Sequence, residues 1–316
     1  MPALSIIIPL HNKGPYIRDT LESAQAQDFT DWEALVVENH STDDGPSQVL
    51  EIAARDPRIR LADAPPEIRG PGAARNLGLS VAGGEWVLFL DADDLLESHQ
   101  FASLINASRS REVQIVAGGW KEFSSCVNSV CSVRIPDTQS ITNAIVKTPW
   151  AVHAAIVRRA WLTGDKRWLT EMDALMLEDL AFWFRATFEA RVAFVQSTGA
   201  LYRFGVQGNR NLYSDFSAWV KGFDVAVQNN VEYMRQRGRR LDAYQVDLIM
   251  RYYESAVLRC MVQGNGPILR HLYSTYRTWV RKAVCRNPFK FPICARLCLP
   301  WYFLSHRRAC LRMAEE

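Results

Sequence analysis

The sequence predicts an α/β fold in which a mainly parallel sheet is covered by helices on both faces. Three observations predict it. Short apolar segments alternate with longer helix-like segments through residues 1–120. The segment 86–90 is apolar at every position, which suits a central strand buried on both faces. Finally, a chain of 316 residues is long enough to bury a large core.

Strands and helices alternate in the predicted order up to residue 116. Pro15 precedes the first helix, where a proline in the first turn is favourable. Gly70 and Gly72 precede the third helix, and as turn residues they need no further explanation. The predicted strands are residues 4–9, 32–37, 58–62, 86–90 and 113–116, and the connecting helices are residues 16–27, 46–55, 73–81 and 98–110.

The alternation decays after Trp120, which suggests a second segment that ends near residue 205. Residues 121–133 suggest irregular strands or loops, and residues 177–185 suggest a helix with two acids in its first turn. Residues 214–261 predict two helices with apolar faces. The first face contains Trp219, Phe223 and Val227, and the second contains Leu248, Tyr252, Ala256 and Cys260.

Charge and cysteine content restrict the class of protein. The net charge is +3, but residues 268–316 hold ten Lys or Arg against two Glu, a local charge of +8. Seven cysteines without a Cys-x-x-Cys pair argue against a disulfide framework or a structural zinc site. The first residues lack the basic region of a secretory signal, and no segment has the roughly 18 to 20 apolar residues that a membrane span needs. We therefore expect a cytoplasmic protein.

Three carboxylates follow the buried strand 86–90. Asp91 and Asp93 are two residues apart, so both should project the same way at the carboxyl end of the strand, where open α/β sheets bind ligands. Two such carboxylates repel each other unless a positive charge lies between them. Mg²⁺ or Mn²⁺ fits, because these ions favour hard oxygen ligands, waters and a diphosphate. The alternative is a solvated acidic turn in which Asp94 caps a helix starting near Leu95.

Polar residues also follow the first two strands, on the same predicted edge. His11 comes after strand one, and Glu38, Asn39 and His40 come after strand two. An imidazole plane can stack on a nucleobase, and a carboxylate or amide can bond its imide edge or a ribose hydroxyl. Each residue alone also fits an ordinary loop, but beside an acidic pair they suggest a nucleotide site.

These segments together resemble glycosyltransferase family 2, whose members are inverting enzymes with the GT-A fold. The similar segments are IIIPLHN, WEALVVENHSTDD, GPGAARNLGLSVAGGEWVLFLDADD, LEDLAFWFR and LYRF, in that order. The resemblance covers about the first 205 residues. It implies a nucleotide-sugar-binding half at 1–120 and an acceptor and catalytic-base half at 121–205. It also implies that residues 150–159 form the strand leading toward the acceptor site. Residues 206–316 are predicted from their own pattern to form a helical, basic extension.

The resemblance also implies roles for individual residues. Pro9, His11, Glu38 and Asn39 would surround the nucleoside. Arg75 would reach the base or diphosphate, unless it is only an ion-paired surface arginine. The Asp-x-Asp motif, Asp91, Ala92 and Asp93, would hold ribose and metal, with Asp93 and Asp91 as ligands to Mn²⁺ or Mg²⁺. Two features depart from the family: His11 replaces a usual Tyr, and Glu38-Asn39-His40 replaces a commoner Asp-Asp-Gly.

Two acids open the predicted helix at 177–185. Acids in a first turn stabilise the helix dipole, which is sufficient reason for a lone Glu-Asp pair. The resemblance implies instead that Asp179 is the catalytic base and that Glu178 orients the acceptor or a neighbouring loop. Because consecutive helical residues point about 100° apart, we expect only one of them to face the acceptor. Arg203, in the segment matching the family's closing strand, is equally consistent with a structural ion pair.

The basic residues of the C-terminal segment are interleaved with aromatic ones. That composition fits contact with an anionic membrane surface, at about 1 kcal/mol per basic group near the lipid. A nucleic-acid backbone would also attract it, and ordinary packing on the preceding domain is the third alternative. We expect peripheral attachment to the inner face of the cytoplasmic membrane at most, and no nucleic-acid partner.

The sequence thus predicts a metal-dependent inverting glycosyltransferase. It would use a nucleotide-diphosphate sugar, with UDP the expected nucleotide, and a saccharide or lipid-linked acceptor in surface polysaccharide or glycolipid synthesis. A nucleotidyltransferase would show a glycine-rich loop ending in basic residues, and a dehydrogenase Gly-x-Gly-x-x-Gly, after strand one. Here strand one runs into Pro9-Leu10-His11-Asn12. A catalytically silent nucleotide-sugar-binding protein remains the rival from another class.

Overall fold

The computed structural model describes residues 1–109, 112–124, 129–205 and 216–263, together with 272, 274–276, 278 and 279. Most of the basic C-terminal segment, including Cys294 and Cys298, lies outside the described residues. The described strands are β1 Leu4–Leu10, β2 Trp32–Glu38, β3 Ile59–Asp63, β4 Trp86–Phe89, β5 Leu95–Leu96, β6 Ile115–Ala117, β7 Trp120–Phe123, β8 Val130–Arg134, β9 Ala155–Arg158, β10 Val192–Phe194 and β11 Ala200–Arg203. The described α-helices are α1 Gly14–Gln25, α2 Gly45–Ala53, α3 Pro71–Val81, α4 Gln100–Arg109, α5 Thr138–Thr142, α6 Glu178–Thr187, α7 Phe216–Gln236 and α8 Ala243–Gln263.

A seven-stranded sheet with the order β10-β6-β9-β4-β1-β2-β3 forms the centre of the protein. The predicted α/β class is confirmed, and β1, β2, β3 and β4 pair in parallel. All four residues of β4 are buried, as its uninterrupted apolar sequence predicts. The register places Leu10 beside Glu38, so the carboxyl ends of β1 and β2 meet at one edge.

The sheet departs from the predicted order at β9. This strand comes from the second half of the chain, lies between β4 and β6, and is antiparallel to both. Since β10 completes the same sheet beside β6, residues 155–194 extend the sheet started by the first 120 residues. Residues 1–120 and 121–205 therefore share one sheet.

A smaller sheet with the order β5-β11-β7-β8 lies beside the acidic turn. The structure resolves the irregular prediction for residues 121–133 into β7 and β8, an antiparallel pair with an irregularity at Glu122 and Phe123. Leu95 and Leu96 form β5, and the next helix begins only at Gln100. The alternative in which Asp94 caps a helix starting near Leu95 is therefore wrong.

The predicted helical extension is confirmed for the part of it that the structure describes. Phe223, Val227 and Ala256 are buried in one apolar cluster that also contains Leu180 and Phe184 of α6. Trp219, Leu248 and Tyr252 pack against the same cluster with partial exposure; the side chain of Cys260 is outside the described set. Within the described ranges, none of the helices combines the length and apolarity that crossing a membrane requires.

Candidate functional site

A cavity of about 1150 Å³ opens at the carboxyl ends of the central strands. Its walls come from both halves of the chain and from α7. Nine of the ten predicted site residues line it: Pro9, His11, Asn39, Arg75, Asp91, Ala92, Asp93, Glu178 and Asp179. The fold thus brings residues that are up to 170 positions apart in the sequence to one edge of the central sheet.

Glu38 is the predicted site residue that does not line the cavity. Its carboxylate accepts hydrogen bonds from the backbone N–H groups of His40 (3.0 Å) and Ser41. Burial alone raises the pKa of Glu38, but these hydrogen bonds outweigh it and lower the pKa. The structure therefore places Glu38 under the loop that carries Asn39 and His40.

That loop forms a polar corner of the cavity. His11 Nδ1 lies 2.7 Å from the carbonyl oxygen of Asn39, and since a carbonyl only accepts, Nδ1 is the donor. Asn39 is 6% exposed and donates from Nδ2 to the carbonyl of Gly70 at 3.0 Å. His40, which follows strand two in the predicted polar segment, and Arg69, which we did not predict, line the same corner.

The glycines before α3 have a steric role beyond a turn. Asp173 accepts hydrogen bonds from the N–H groups of Gly72 and Ala73, each at 2.8 Å, and so satisfies the start of α3 from the second half of the chain. Gly70 has φ +94°, and a Cβ there would lie 2.4 Å from Asp173 Cβ. A Cβ on Gly72 would lie 2.5 Å from Asp173 Oδ1. Only glycine therefore lets this carboxylate reach the helix.

Arg75, on the first turns of α3, is the central cation of the cavity. It is 3% exposed, and its guanidinium lies over the Trp168 ring at 4.2 Å. Nη2 donates to Asp91 Oδ1 at 2.5 Å, and Nη1 is 3.7 Å from Glu178 Oε1. Burial alone lowers the pKa of Arg75, but Asp91 and Glu178 outweigh it and raise the pKa. Arg75 is therefore ion-paired, as the structural alternative has it, but it is buried and not on the surface.

Asp93 is paired separately. Lys13 Nζ lies 2.8 Å from Asp93 Oδ2, and both side chains are mostly buried. Lys13 follows the segment IIIPLHN directly but was not predicted, because a lysine after a strand has no distinctive local pattern. The acidic pair is thus flanked by two protein cations, Arg75 on Asp91 and Lys13 on Asp93.

The donor set of this corner fits a divalent cation that also binds a nucleotide. Asp91 and Asp93 supply carboxylate oxygens to the cavity, which suits Mg²⁺ or Mn²⁺ with waters and a diphosphate completing the shell. Across the described residues, no group of three or more His, Cys, Asp or Glu could form a complete protein cage for a metal.

A buried ion pair anchors the acidic turn. His153 Nδ1 lies 3.1 Å from Asp94 Oδ2, with side-chain exposures of 0% and 2%. Burial raises the pKa of Asp94 to about 6, although His153 acts in the opposite direction. Burial also lowers the pKa of His153, but attraction to Asp94 outweighs it and raises that pKa.

The backbone N–H of Arg203 donates to Asp94 Oδ1 at 2.7 Å, and Arg203 Nε donates to the carbonyl of Asp93 at 2.8 Å, which supports the structural interpretation of Arg203.

Glu178 and Asp179 open α6, and both line the cavity. That only one of them faces the acceptor stays a prediction. Leu177 has φ +74°, so the backbone turns immediately before the helix, and first-turn side chains have no preceding turn to restrict them. Burial and the neighbouring Glu178 raise the pKa of Asp179 to about 7, despite the opposing effect of Arg75.

Residues 5–145 match the profile described as "Glycosyl transferase family 2". Among curated proteins, an uncharacterized glycosyltransferase of Haemophilus influenzae is 30% identical over 120 residues, which are 38% of this chain and 48% of that protein. The GalNAc(5)-diNAcBac-PP-undecaprenol beta-1,3-glucosyltransferase of Campylobacter jejuni is 38% identical over 105 residues, covering 33% and 34%. The succinoglycan biosynthesis protein ExoO of Rhizobium meliloti is 35% identical over 115 residues, covering 36% and 32%. The matched segment thus spans about a third to a half of these relatives.

Solved structures share the fold at low identity. Staphylococcus aureus TarS 1-349 in complex with UDP-GlcNAc has a TM-score of 0.62 at 20% identity, covering 79% of this chain and 71% of that one. The mannosyltransferase PcManGT of Pyrobaculum calidifontis, in complex with GDP-Man and Mn²⁺, has a TM-score of 0.58 at 17% identity, covering 99% and 83%. The chain therefore has the predicted GT-A fold.

The buried pair at the acidic turn generates a stability prediction. Replacing His153→Ala leaves Asp94 buried without its cation, so we expect the free energy of unfolding to fall by about 3–5 kcal/mol. The matched control is His99→Ala, because His99 is 47% exposed and lies 3.9 Å from Glu97. A surface pair of that kind contributes at most about 1 kcal/mol. Urea unfolding at pH 7 measures both values, and equal losses in the two variants would contradict the structural role of His153.

Proposed function

Because this chain belongs to glycosyl transferase family 2 through residues 5–145, we propose that it transfers a sugar from a nucleotide-diphosphate sugar to an acceptor hydroxyl with inversion. One observation supports this most: the guanidinium of Arg75 contacts Asp91 of the acidic pair and lies beside Glu178, the residue before Asp179. The acidic pair, which would hold the donor, and the candidate base Asp179 thus line one cavity. A displacement in one step uses the acidic pair for the leaving diphosphate and the base for the acceptor hydroxyl.

Asp179 is the proposed base. A hydroxyl becomes a useful nucleophile when a carboxylate takes its proton as the new bond forms, and a base with a pKa near 7 suits that task at neutral pH. The acceptor oxygen then bonds to the anomeric carbon on the face opposite the diphosphate, and the bond from that carbon to the diphosphate oxygen breaks. Attack on the opposite face inverts the anomeric carbon.

The departing diphosphate gathers negative charge, and the cavity offers cations for it. Lys13 and Arg75 line the wall beside the acidic pair and can donate charge-assisted hydrogen bonds to phosphate oxygens. Asp91 and Asp93 are the residues that would hold Mg²⁺ or Mn²⁺, which when bound supplies further positive charge for the leaving group. A nucleoside diphosphate leaves without a protein acid, whereas a glycosidase would need two carboxyl groups flanking the bond.

The nucleotide and acceptor classes are part of the same proposal. The similarity to TarS, whose complex contains UDP-GlcNAc, supports a uridine nucleotide in the donor. The alternative is a guanosine nucleotide, because the complex of PcManGT contains GDP-Man. A saccharide or lipid-linked acceptor in surface polysaccharide or glycolipid synthesis is supported by relatives named for undecaprenol-linked glycans and succinoglycan. Peripheral contact with a membrane at its cytoplasmic face is proposed from the basic C-terminal segment alone.

The first functional prediction concerns the donor. With Mn²⁺ and a panel of UDP- and GDP-sugars, we expect the wild-type protein to release nucleoside diphosphate, and Asp93→Ala to abolish that release. The variant should also lose the Mn²⁺-dependent part of nucleotide affinity, measured by calorimetry. Asp91→Ala should have a smaller effect. The matched control, Asp63→Ala, removes an exposed carboxylate at the end of β3 outside the cavity and should change neither value. Unchanged nucleotide affinity in Asp93→Ala would refute its assignment.

The second prediction concerns the base. Asp179→Asn keeps the shape but removes the basicity, so turnover should fall by roughly 10² to 10⁴-fold with donor affinity nearly unchanged. Turnover of the wild type should rise with pH through about 7, because the base acts only when deprotonated. Glu178→Gln removes a negative neighbour, so it should remain active and move this rise to lower pH. If Glu178→Gln is inactive while Asp179→Asn is not, the two roles are reversed, and two active variants would place the base elsewhere.

A further inference from the structure

Aromatic side chains form one wall of the cavity near the catalytic acids. We define this aromatic wall as Tyr202, Phe204 and Trp219, all of which line the cavity. Tyr202 and Phe204 are 38% and 40% exposed, whereas most large rings among the described residues are buried. Their exposure inside a concave site points to a ligand that covers them.

Strand alternation explains the orientation of the first two rings. Tyr202 lies in β11 and Phe204 follows that strand, so side chains two residues apart share a face. Arg203, between them, is 9% exposed and holds the acidic turn on the other face. One face of β11 therefore holds the acidic turn through Arg203, and the other face presents the rings of Tyr202 and Phe204 to the cavity.

Packing of α7 fixes the third ring. The Trp219 ring is nearly parallel to those of Phe216 and Phe223, with interplanar angles of 11° and 7°. Gly222 lets α7 approach the chain just before the acids, because a Cβ there would lie 2.1 Å from the carbonyl oxygen of Met176. Trp219 is thus held rigidly beside the segment that leads into Glu178 and Asp179.

We propose that the aromatic wall is the acceptor subsite and that it binds the apolar face of a pyranose ring; this inference rests on the proposed function. A pyranose has a face of C–H groups that suits an aromatic ring and an edge of hydroxyls that suits carboxylates. Asp179 and Glu178 line the same cavity and supply those carboxylates. A sugar bound this way presents a hydroxyl to the base.

The charges of the cavity favour a sugar over a hydrocarbon chain. A lipid chain laid on the wall would strip water from Glu178 and Asp179 without offering hydrogen bonds, which is costly for charged groups. In the proposed function, the nucleotide of the donor lies beside His11, Asn39 and Lys13, which come from the ends of β1 and β2.

The test uses methyl pyranosides of glucose, galactose, mannose, N-acetylglucosamine and N-acetylgalactosamine as probes with the full-length protein. The variants are Phe204→Ala and Trp219→Ala, with Trp219→Phe retaining a ring in case the alanine variant fails to fold. The matched control is Tyr244→Ala, which removes a ring that is 40% exposed on α8 away from the cavity. Donor hydrolysis without acceptor is measured in parallel.

We expect the acceptor KM to rise about tenfold or more in Phe204→Ala, because this variant loses an exposed ring face. The KM should also rise, by a smaller factor, in Trp219→Ala, which loses the edge of a ring whose faces pack against Phe216 and Phe223. Donor hydrolysis should fall by a smaller factor than transfer to the acceptor, Trp219→Phe should retain most of the acceptor affinity, and Tyr244→Ala should match the wild type. An unchanged KM, or a loss of donor hydrolysis as large as the loss of transfer, would overturn the assignment. Stimulation of nucleotide release by long-chain alcohols but by none of the glycosides would also overturn it.

Saturation-transfer NMR separates failure of the subsite from failure of the proposed function, because it needs no donor. The wild type should transfer saturation to the ring C–H protons of at least one glycoside, and Phe204→Ala should lose most of that signal. Binding without turnover of any nucleotide sugar would support the aromatic wall while contradicting the transferase proposal. Absence of the signal in a wild type that hydrolyses donor would refute the aromatic wall alone.

Discussion

A single buried guanidinium holds the cavity together. Arg75 is almost fully removed from water, so its charge must be balanced by Asp91 and Glu178, and theirs by it. Arg75 is the buried member of these pairs, whereas Asp91 is 31% exposed. Removing a partner of a buried charge is destabilising, because the charge that remains has no water to solvate it. Asp179 feels the same cation, although burial and Glu178 raise its pKa to about 7. Asp91, which would help to hold the donor, and the candidate base Asp179 therefore both depend electrostatically on Arg75.

The position of that guanidinium depends in turn on contacts between the two halves of the chain. The Asn76 side chain pairs with both backbone groups of Trp168, at 2.8 and 3.1 Å, and Trp168 lies under the guanidinium. Asp173 binds the start of α3, and Gly72 leaves room for it. The segment 168–173 thus sets where α3 begins and where Arg75 points. Loss of this contact would disturb the acidic pair and the candidate base Asp179 together.

Sequence patterns predicted what depends on local periodicity and missed what depends on distant pairing. The alternation of apolar and helical segments predicted β1 to β4 and α1 to α4, and the acids after β4 marked the edge of the sheet. The antiparallel insertion of β9 was not predictable, since nothing in its sequence encodes which neighbours it pairs with. Asp173, Lys13 and His153 were missed for the same reason: each acts on a partner 59 or more residues away. Only the fold brings these charges together.

The most direct test of this shared electrostatics is the proton exchange that accompanies nucleoside-diphosphate binding near pH 7. It is obtained from calorimetric titrations in buffers of different ionisation enthalpy. A diphosphate beside Arg75 adds negative charge near Asp179 and should raise its pKa, so the wild type should take up more protons than Asp179→Asn. The diphosphate and any metal contribute equally to both proteins and cancel in the difference. Identical proton exchange in the two proteins would contradict the account, because the donor and the base would then not share a cation.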